Sequence, residues 1–230
     1  VLRRREAGKD ATADLYRAAG NWFRKYRHGH DISLSQLTPS LVDGFIAFLQ
    51  AGGKLKVNSV NSYVSALRAM YNIIIREQGY APRIHPFAHI VIHPEKTIKR
   101  AVSLEVFEQI PILDLKEEPE LQFAADLCVF SFIACGIPFV DLARLTRDNI
   151  KDDTLVYNRT KTGSPIKIAL TSGMRCLLDK YASTSSPYLF PIFPPEGPSS
   201  YEHYKMLLRK YNVALKRIGE RLQLSTLFTS

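Results

Sequence analysis

Lys161 is the residue of this chain whose setting best suits chemistry. Leu155, Tyr157 and Arg159 alternate with Val156 and Asn158, as a half-buried strand does, and Ile166, Ile168 and Leu170 return on an apolar face. Thr162-Gly163-Ser164 supplies the turn between them. The pattern predicts a β-hairpin with Lys161 at its tip, flanked by Arg159 and Lys167. An ammonium fixed on a stiff ribbon offers both charge stabilisation and a proton to an anionic substrate. Upstream lies Gly136-Ile137-Pro138-Phe139-Val140-Asp141-Leu142, a glycine-led helical turn ending in an acidic residue and leucine. Asp141 is expected to cap or to pair with a nearby basic group, and Arg144 stands just beyond it.

Several elements must position these residues. An amphipathic helix is predicted from Asp10 to about Arg27, with Leu15, Ala18, Ala19, Trp22, Phe23 and Tyr26 inward and Gly29 at its end. Thr38-Pro39 marks the start of a second, with Leu41, Phe45, Ile46 and Leu49 buried and Gly52-Gly53 as its stop. A third runs from about Asn58 to Gln78. Its apolar stripe is Val60, Val64, Leu67, Met70, Tyr71 and Ile74. Asn61, Ser65, Arg68, Asn72 and Arg76 form a parallel polar stripe, either an ordinary solvated face or a surface for a DNA backbone. Lys54 and Lys56 at the helix entry would add phosphate contacts.

Residues 81–100 hold three prolines and no helical period, and read as an extended linker. His85, His89 and His93 recur every four residues, but Pro86 and Pro94 argue against the helix that a metal site of that spacing needs. A second domain is expected from about Ala101, with Ser103 as an N-cap. Pro119 opens a strongly apolar helix, and a short helix follows over Asp141–Thr146. After the hairpin, helices are predicted over Thr171–Tyr181 and about Ser200–Leu222, separated by a Ser/Pro-rich loop at Ser183–Ser200. Tyr201, Tyr204 and Tyr211 sit at core spacing, and Thr226–Ser230 looks strand-like.

The helical turn ending in Asp-Leu, followed at close range by a hairpin with a lysine tip, resembles the catalytic domain of the tyrosine site-specific recombinases, the phage integrase family. The order of elements resembles it too, with a helical bundle, a basic linker and then this motif. The resemblance implies a mostly α (α+β) protein. A helical core-binding domain at 1–80 and a linker at 81–100 would precede the front part of a catalytic domain at 101–230, with a small antiparallel sheet. It implies that Lys161 is the general acid that protonates the 5′-hydroxyl leaving group of a cleaved strand, with Asp141 and Arg144 in support. Lys54, Lys56, Asn61, Ser65, Arg68, Arg76, Arg159 and Lys167 would contact DNA. No metal or other cofactor is implied. The family places a phosphate-binding arginine where this chain has Pro138. Its His-x-x-Arg box and tyrosine nucleophile would follow Ser230, so the chain is expected to be a truncated recombinase that binds DNA without cleaving it.

The resemblance further implies that two domains clamp duplex DNA, that the complete protein integrates or excises a mobile element as a tetramer, and that this portion alone is monomeric. A non-catalytic module that regulates or bridges recombination sites is the other reading. Composition agrees with a polyanionic partner. The net charge is +9, and residues 1–80 alone hold 12 basic against 6 acidic residues. The apolar runs are all too short to span a bilayer, and Val1-Leu2-Arg3-Arg4-Arg5 is too charged for a secretory signal. Cys128, Cys135 and Cys176 lack metal-ligand spacing and lie among apolar residues. They are expected to be buried free thiols of a cytoplasmic protein.

Overall fold

The computed structural model describes residues 1–52, 54–97, 102–182, 186–194, 200–225 and 228–230. It divides into two compact units, Val1–Ile98 and Lys99–Ser230. Residues 53, 98–101, 183–185, 195–199 and 226–227 lie outside the described residues.

The first unit is built on four helices: α1 (Leu2–Glu6), α2 (Asp10–Tyr26), α3 (Pro39–Ala51) and α4 (Val57–Glu77). Helix α3 starts where Thr38 Oγ1 accepts from the Leu41 amide at 3.3 Å, with proline in the first turn where no amide is needed. Val42, Phe45 and Leu49 of α3 pack against Val60, Val64, Leu67 and Tyr71 of α4. Phe23 of α2 meets Phe45 edge-on, with ring centroids 5.2 Å apart. Burying each such side chain contributes about 1.5–3 kcal/mol, which fixes which faces of the helices turn inward.

The segment expected as an extended linker is instead strapped onto this bundle. Phe87 is buried in the core with α3 and α4. Asn58 makes two bonds to the backbone of Glu95, and Asn61 Nδ2 donates to the His93 carbonyl at 3.0 Å. Arg68 donates to the Ile90 carbonyl at 3.1 Å and lies 5.9 Å from the Phe87 ring centroid. His85 Nδ1 accepts from the Phe87 amide, so its Nε2 carries the proton donated to Asn72 Oδ1 at 2.8 Å. His89 pairs with Asp43 at 2.7 Å. The two histidines thus hold the strap through separate polar partners. A proline-rich stretch without period looks like a linker because backbone-directed side-chain bonds leave no periodic trace in sequence.

The second unit contains α5 (Leu104–Phe107), α6 (Pro119–Ile133), α7 (Phe139–Leu142), β1 (Ile150–Lys151), β2 (Thr154–Asn158), β3 (Pro165–Ala169), α8 (Ser172–Tyr181) and α9 (Tyr201–Arg221). The strands form one antiparallel sheet in the order β1-β2-β3. Leu155 pairs with Ile168 and Tyr157 with Ile166, so the apolar side of the hairpin faces one way. Helix α6 is apolar nearly all round and fills the core with Leu121, Leu127 and Phe130 against Phe190, Leu215 and Ile218. Its one buried carboxylate, Asp126, takes Lys180 Nζ and Tyr181 Oη from α8, each at 2.5 Å, and Gln122 Nε2 at 3.0 Å. A buried charge with three donors is satisfied and locks α8 onto α6.

Three expectations change here. Cys135 and Cys176 are exposed and only Cys128 is partly buried. Cys135 falls on the turn after α6, and Cys176 on the outer side of α8. The helix expected over Asp141–Thr146 is α7, which ends at Leu142 because Thr146 and Asn149 cap a following 3-10 turn. Phe228–Ser230 forms no strand; Phe228 is buried in the core, and Ser230 N donates to Asn212 Oδ1 at 2.9 Å.

Two measurements check this arrangement. Phe87→Ala should lower the stability of the first unit by about 3–5 kcal/mol in denaturant, read from Trp22 fluorescence, and an unchanged midpoint would mean a loose linker. Burial pushes the Cys128 thiol up to about 12. At about pH 8, Cys135 and Cys176 should therefore react rapidly with a thiol reagent and Cys128 only after denaturation; three rapid thiols would contradict the structure.

Candidate nucleic-acid interface

The site is assembled where α6 turns into α7. Cys135 and Gly136 both take left-handed backbone conformations, with φ of 55° and 76°. The Gly136 amide closes onto the Ser131 carbonyl at 2.8 Å, and Ser131 Oγ donates to the Ile137 carbonyl at 2.7 Å. This sharp reversal places Pro138 as the N-cap of α7 and sends Asp141 inward.

Asp141 is 4% exposed. Its Oδ1 accepts from the Thr160 amide at 2.9 Å, which ties the β2–β3 turn to α7. The turn is closed by the Arg159 amide on the Ser164 carbonyl at 2.9 Å and the Gly163 amide on the Arg159 carbonyl at 2.7 Å. Gly163 has φ of 72°, which a glycine adopts without strain. Lys161 follows the anchored Thr160 directly and is exposed. Asp141 Oδ2 is buried with no hydrogen-bond partner among the described residues. Its charge reaches two phenols. Burial first, and Asp141 second, raise the Tyr157 hydroxyl, while Arg159 opposes them. Burial also raises Tyr204 above its ordinary range, with a smaller upward push from Asp141.

The expected site residues therefore separate into groups. Asp141, Lys161 and Arg159 come together at the hairpin turn. Lys167 is exposed on β3, and Arg144 is exposed just after α7. Among the described residues Arg144, Arg159, Lys161 and Lys167 form no ion pair, whereas Arg175 pairs with Asp153, Lys180 with Asp126, and Arg217 and Arg221 with Glu118. In the first unit Lys54, Lys56, Ser65 and Arg76 are exposed. Asn61 and Arg68 also reach the strap, one donor of each meeting the carbonyls of His93 and Ile90. Pro138, the N-cap of α7, places no donor or charge in the site. Sequence reasoning missed Thr160, whose contribution is a backbone amide, and took Tyr204 for core packing.

Comparison with known proteins bears on the fold. Residues 1–90 match the sequence model of the phage integrase SAM-like domain. The structure superposes on that of a lambda integrase dimer bound to a COC′ core site with a TM-score of 0.65, at 18% identity over 93% of this chain and 58% of that one. A lambda integrase tetramer bound to a Holliday junction gives 0.63 at 20% identity, over 92% of this chain and again 58% of the other. Lambda integrase residues 75–356 bound to DNA give 0.63 at 16% identity, over 93% and 72%. No curated protein matches the sequence. Residues 1–90 thus resemble a phage integrase SAM-like domain, and the chain has the fold of the lambda integrase structures, spanning little more than half of the lambda integrase chain.

The anchor yields a direct test. Asp141→Ala should speed hydrogen exchange at the Thr160 amide and cost about 1–3 kcal/mol, since it removes a buried acceptor. Unchanged exchange at Thr160 would show that α7 does not hold the turn.

Proposed function

We propose that this chain binds duplex DNA as part of a tyrosine recombinase, holding the cleavage site and presenting Lys161 to the scissile phosphate. The observation that carries the proposal is the Asp141–Thr160 hydrogen bond, which fixes an exposed, unpaired lysine on a rigid turn within an integrase-like fold. The integrases of that fold were solved on a core site and on a Holliday junction. By the same chemistry the complete protein would exchange strands for a mobile element, as dimeric and tetrameric assemblies on DNA.

In this reading a tyrosine oxygen from the part of a recombinase that the chain does not span attacks the phosphorus. A 3′-phosphotyrosyl bond forms, the bond from phosphorus to the 5′-oxygen breaks, and the Lys161 ammonium gives its proton to that oxygen. One phosphate ester replaces another, with the tyrosine's own proton passing to solvent, so rejoining needs no nucleotide cofactor. Arg159 and Lys167 would contact the backbone beside the turn. Lys54, Lys56, Ser65 and Arg76 would do so on the first unit, with Asn61 and Arg68 holding the strap behind them.

Pro138 favours a second reading, in which the chain binds recombination sites without cutting them, because a phosphate clamp expected at that place is gone. Two experiments separate the possibilities. The chain should shift mixed-sequence duplex DNA, with affinity falling at least ~100-fold between roughly 50 and 200 mM salt; salt-insensitive or absent binding contradicts both readings. In the complete recombinase, Lys161→Ala should slow cleavage of an ordinary phosphodiester at least ~100-fold with little loss of binding. It should cleave a substrate with sulfur at the 5′-bridging position almost normally, since a thiolate leaves without a proton. Equal defects on both substrates exclude the general-acid role.

A further inference from the structure

Arg144 is held in place without being neutralised. Its Nη1 donates to the Val140 carbonyl at 3.2 Å, and its guanidinium carbon lies 5.6 Å from the centroid of the Tyr204 ring. Both partners are uncharged, and no carboxylate lies within ion-pair distance of it among the described residues. A guanidinium carries five N–H donors in a planar fork, so one carbonyl and one ring face leave donors free. The side chain is nonetheless confined, because the ring beneath it is itself fixed. Tyr204 packs on Phe139, the first residue of α7, at 6.1 Å, and lies nearly parallel to Tyr201 at 6.1 Å and 25°. Phe139 in turn stacks on buried Tyr211 at 4.7 Å. The aromatic column thus joins α9 to α7, the element whose Asp141 anchors the hairpin.

We infer that Tyr204 is a positioning residue that holds Arg144 as a phosphate-binding guanidinium, the ligand being one phosphodiester of duplex DNA. The inference rests on the DNA reading above and adds to it a contact made from outside the hairpin. A planar fork matches two phosphate oxygens, and a ring face beneath it restricts the fork to a few orientations. The raised Tyr204 hydroxyl stays protonated at physiological pH, so the ring keeps its neutral character there. Lys205 on the same turn of α9 pairs with Glu202 at 2.9 Å, whereas Arg144 meets no carboxylate among the described residues.

The test is a salt titration of this chain binding a mixed-sequence duplex of about 30 base pairs. Arg144→Ala should weaken binding several-fold and lower the log–log salt slope by about 1. Tyr204→Phe, which keeps the ring, should match the unsubstituted chain, and Tyr204→Leu should match Arg144→Ala. Combining Arg144→Ala with Tyr204→Leu should add nothing further, because both remove one contact. An unchanged slope in Arg144→Ala, or additive losses in the double variant, overturns the inference. Should Tyr204→Leu not fold, Arg144→Lys decides: partial restoration of binding relative to alanine supports a ring-held fork, and full restoration shows that charge alone is read. If the unsubstituted chain shows no salt-sensitive binding, the DNA reading itself fails; if it binds and the Arg144 and Tyr204 variants bind equally well, this inference alone falls.

Discussion

One hydrogen bond ties the β2–β3 turn of the second unit to α7. A carboxylate that is almost wholly buried in α7 accepts the backbone amide of Thr160 in a surface turn. Burying a charge is costly unless donors meet it, so α7 and the turn hold each other in one arrangement. The left-handed pair Cys135-Gly136 ends α6 so that α7 can start at once, and the sheet register delivers Thr160 to the right height. The second carboxylate oxygen has no partner among the described residues and keeps its negative field on Tyr157 and Tyr204. Lys161 gains its fixed position from a neighbour's backbone, with no side-chain contact of its own required.

Charge is distributed to match. Basic residues away from the hairpin turn are often neutralised, as the pairs on Glu118, Asp126 and Asp153 show. Arg144, Arg159, Lys161 and Lys167 form no ion pair among the described residues. The first unit follows a related logic. Its polar stripe on α4 is divided, with Asn58, Asn61, Arg68 and Asn72 engaging the strap at 85–95 and Ser65 and Arg76 exposed. The strap carries Phe87 into the core, so the unit is larger than its three main helices.

Much of this was legible in the sequence because it rests on period and on turn chemistry. Helices α2, α3 and α4, the hairpin and the cap at Thr38 lie where apolar spacing and N-cap residues put them. The strap was not legible, since asparagine and arginine side chains binding backbone carbonyls follow no repeat. The exposure of Cys135 was hidden for a similar reason: apolar neighbours suggest burial, whereas a left-handed turn carries the residue outward. Asp141 was readable as a structural acid, but its partner was not, because a backbone amide has no residue type to search for. Tyr204 shows the limit from the other side. Helical spacing marks it as core, and only the structure places Arg144 above its ring.

The central claim is that the Lys161 amine faces a DNA phosphodiester. Lysine acylation of the chain with and without bound duplex DNA, read residue by residue by mass spectrometry, tests it most directly. The account predicts that DNA shields Lys161 strongly while Lys116, exposed on the loop before α6, reacts as before. Equal acylation of Lys161 in the free and the DNA-bound chain would contradict it.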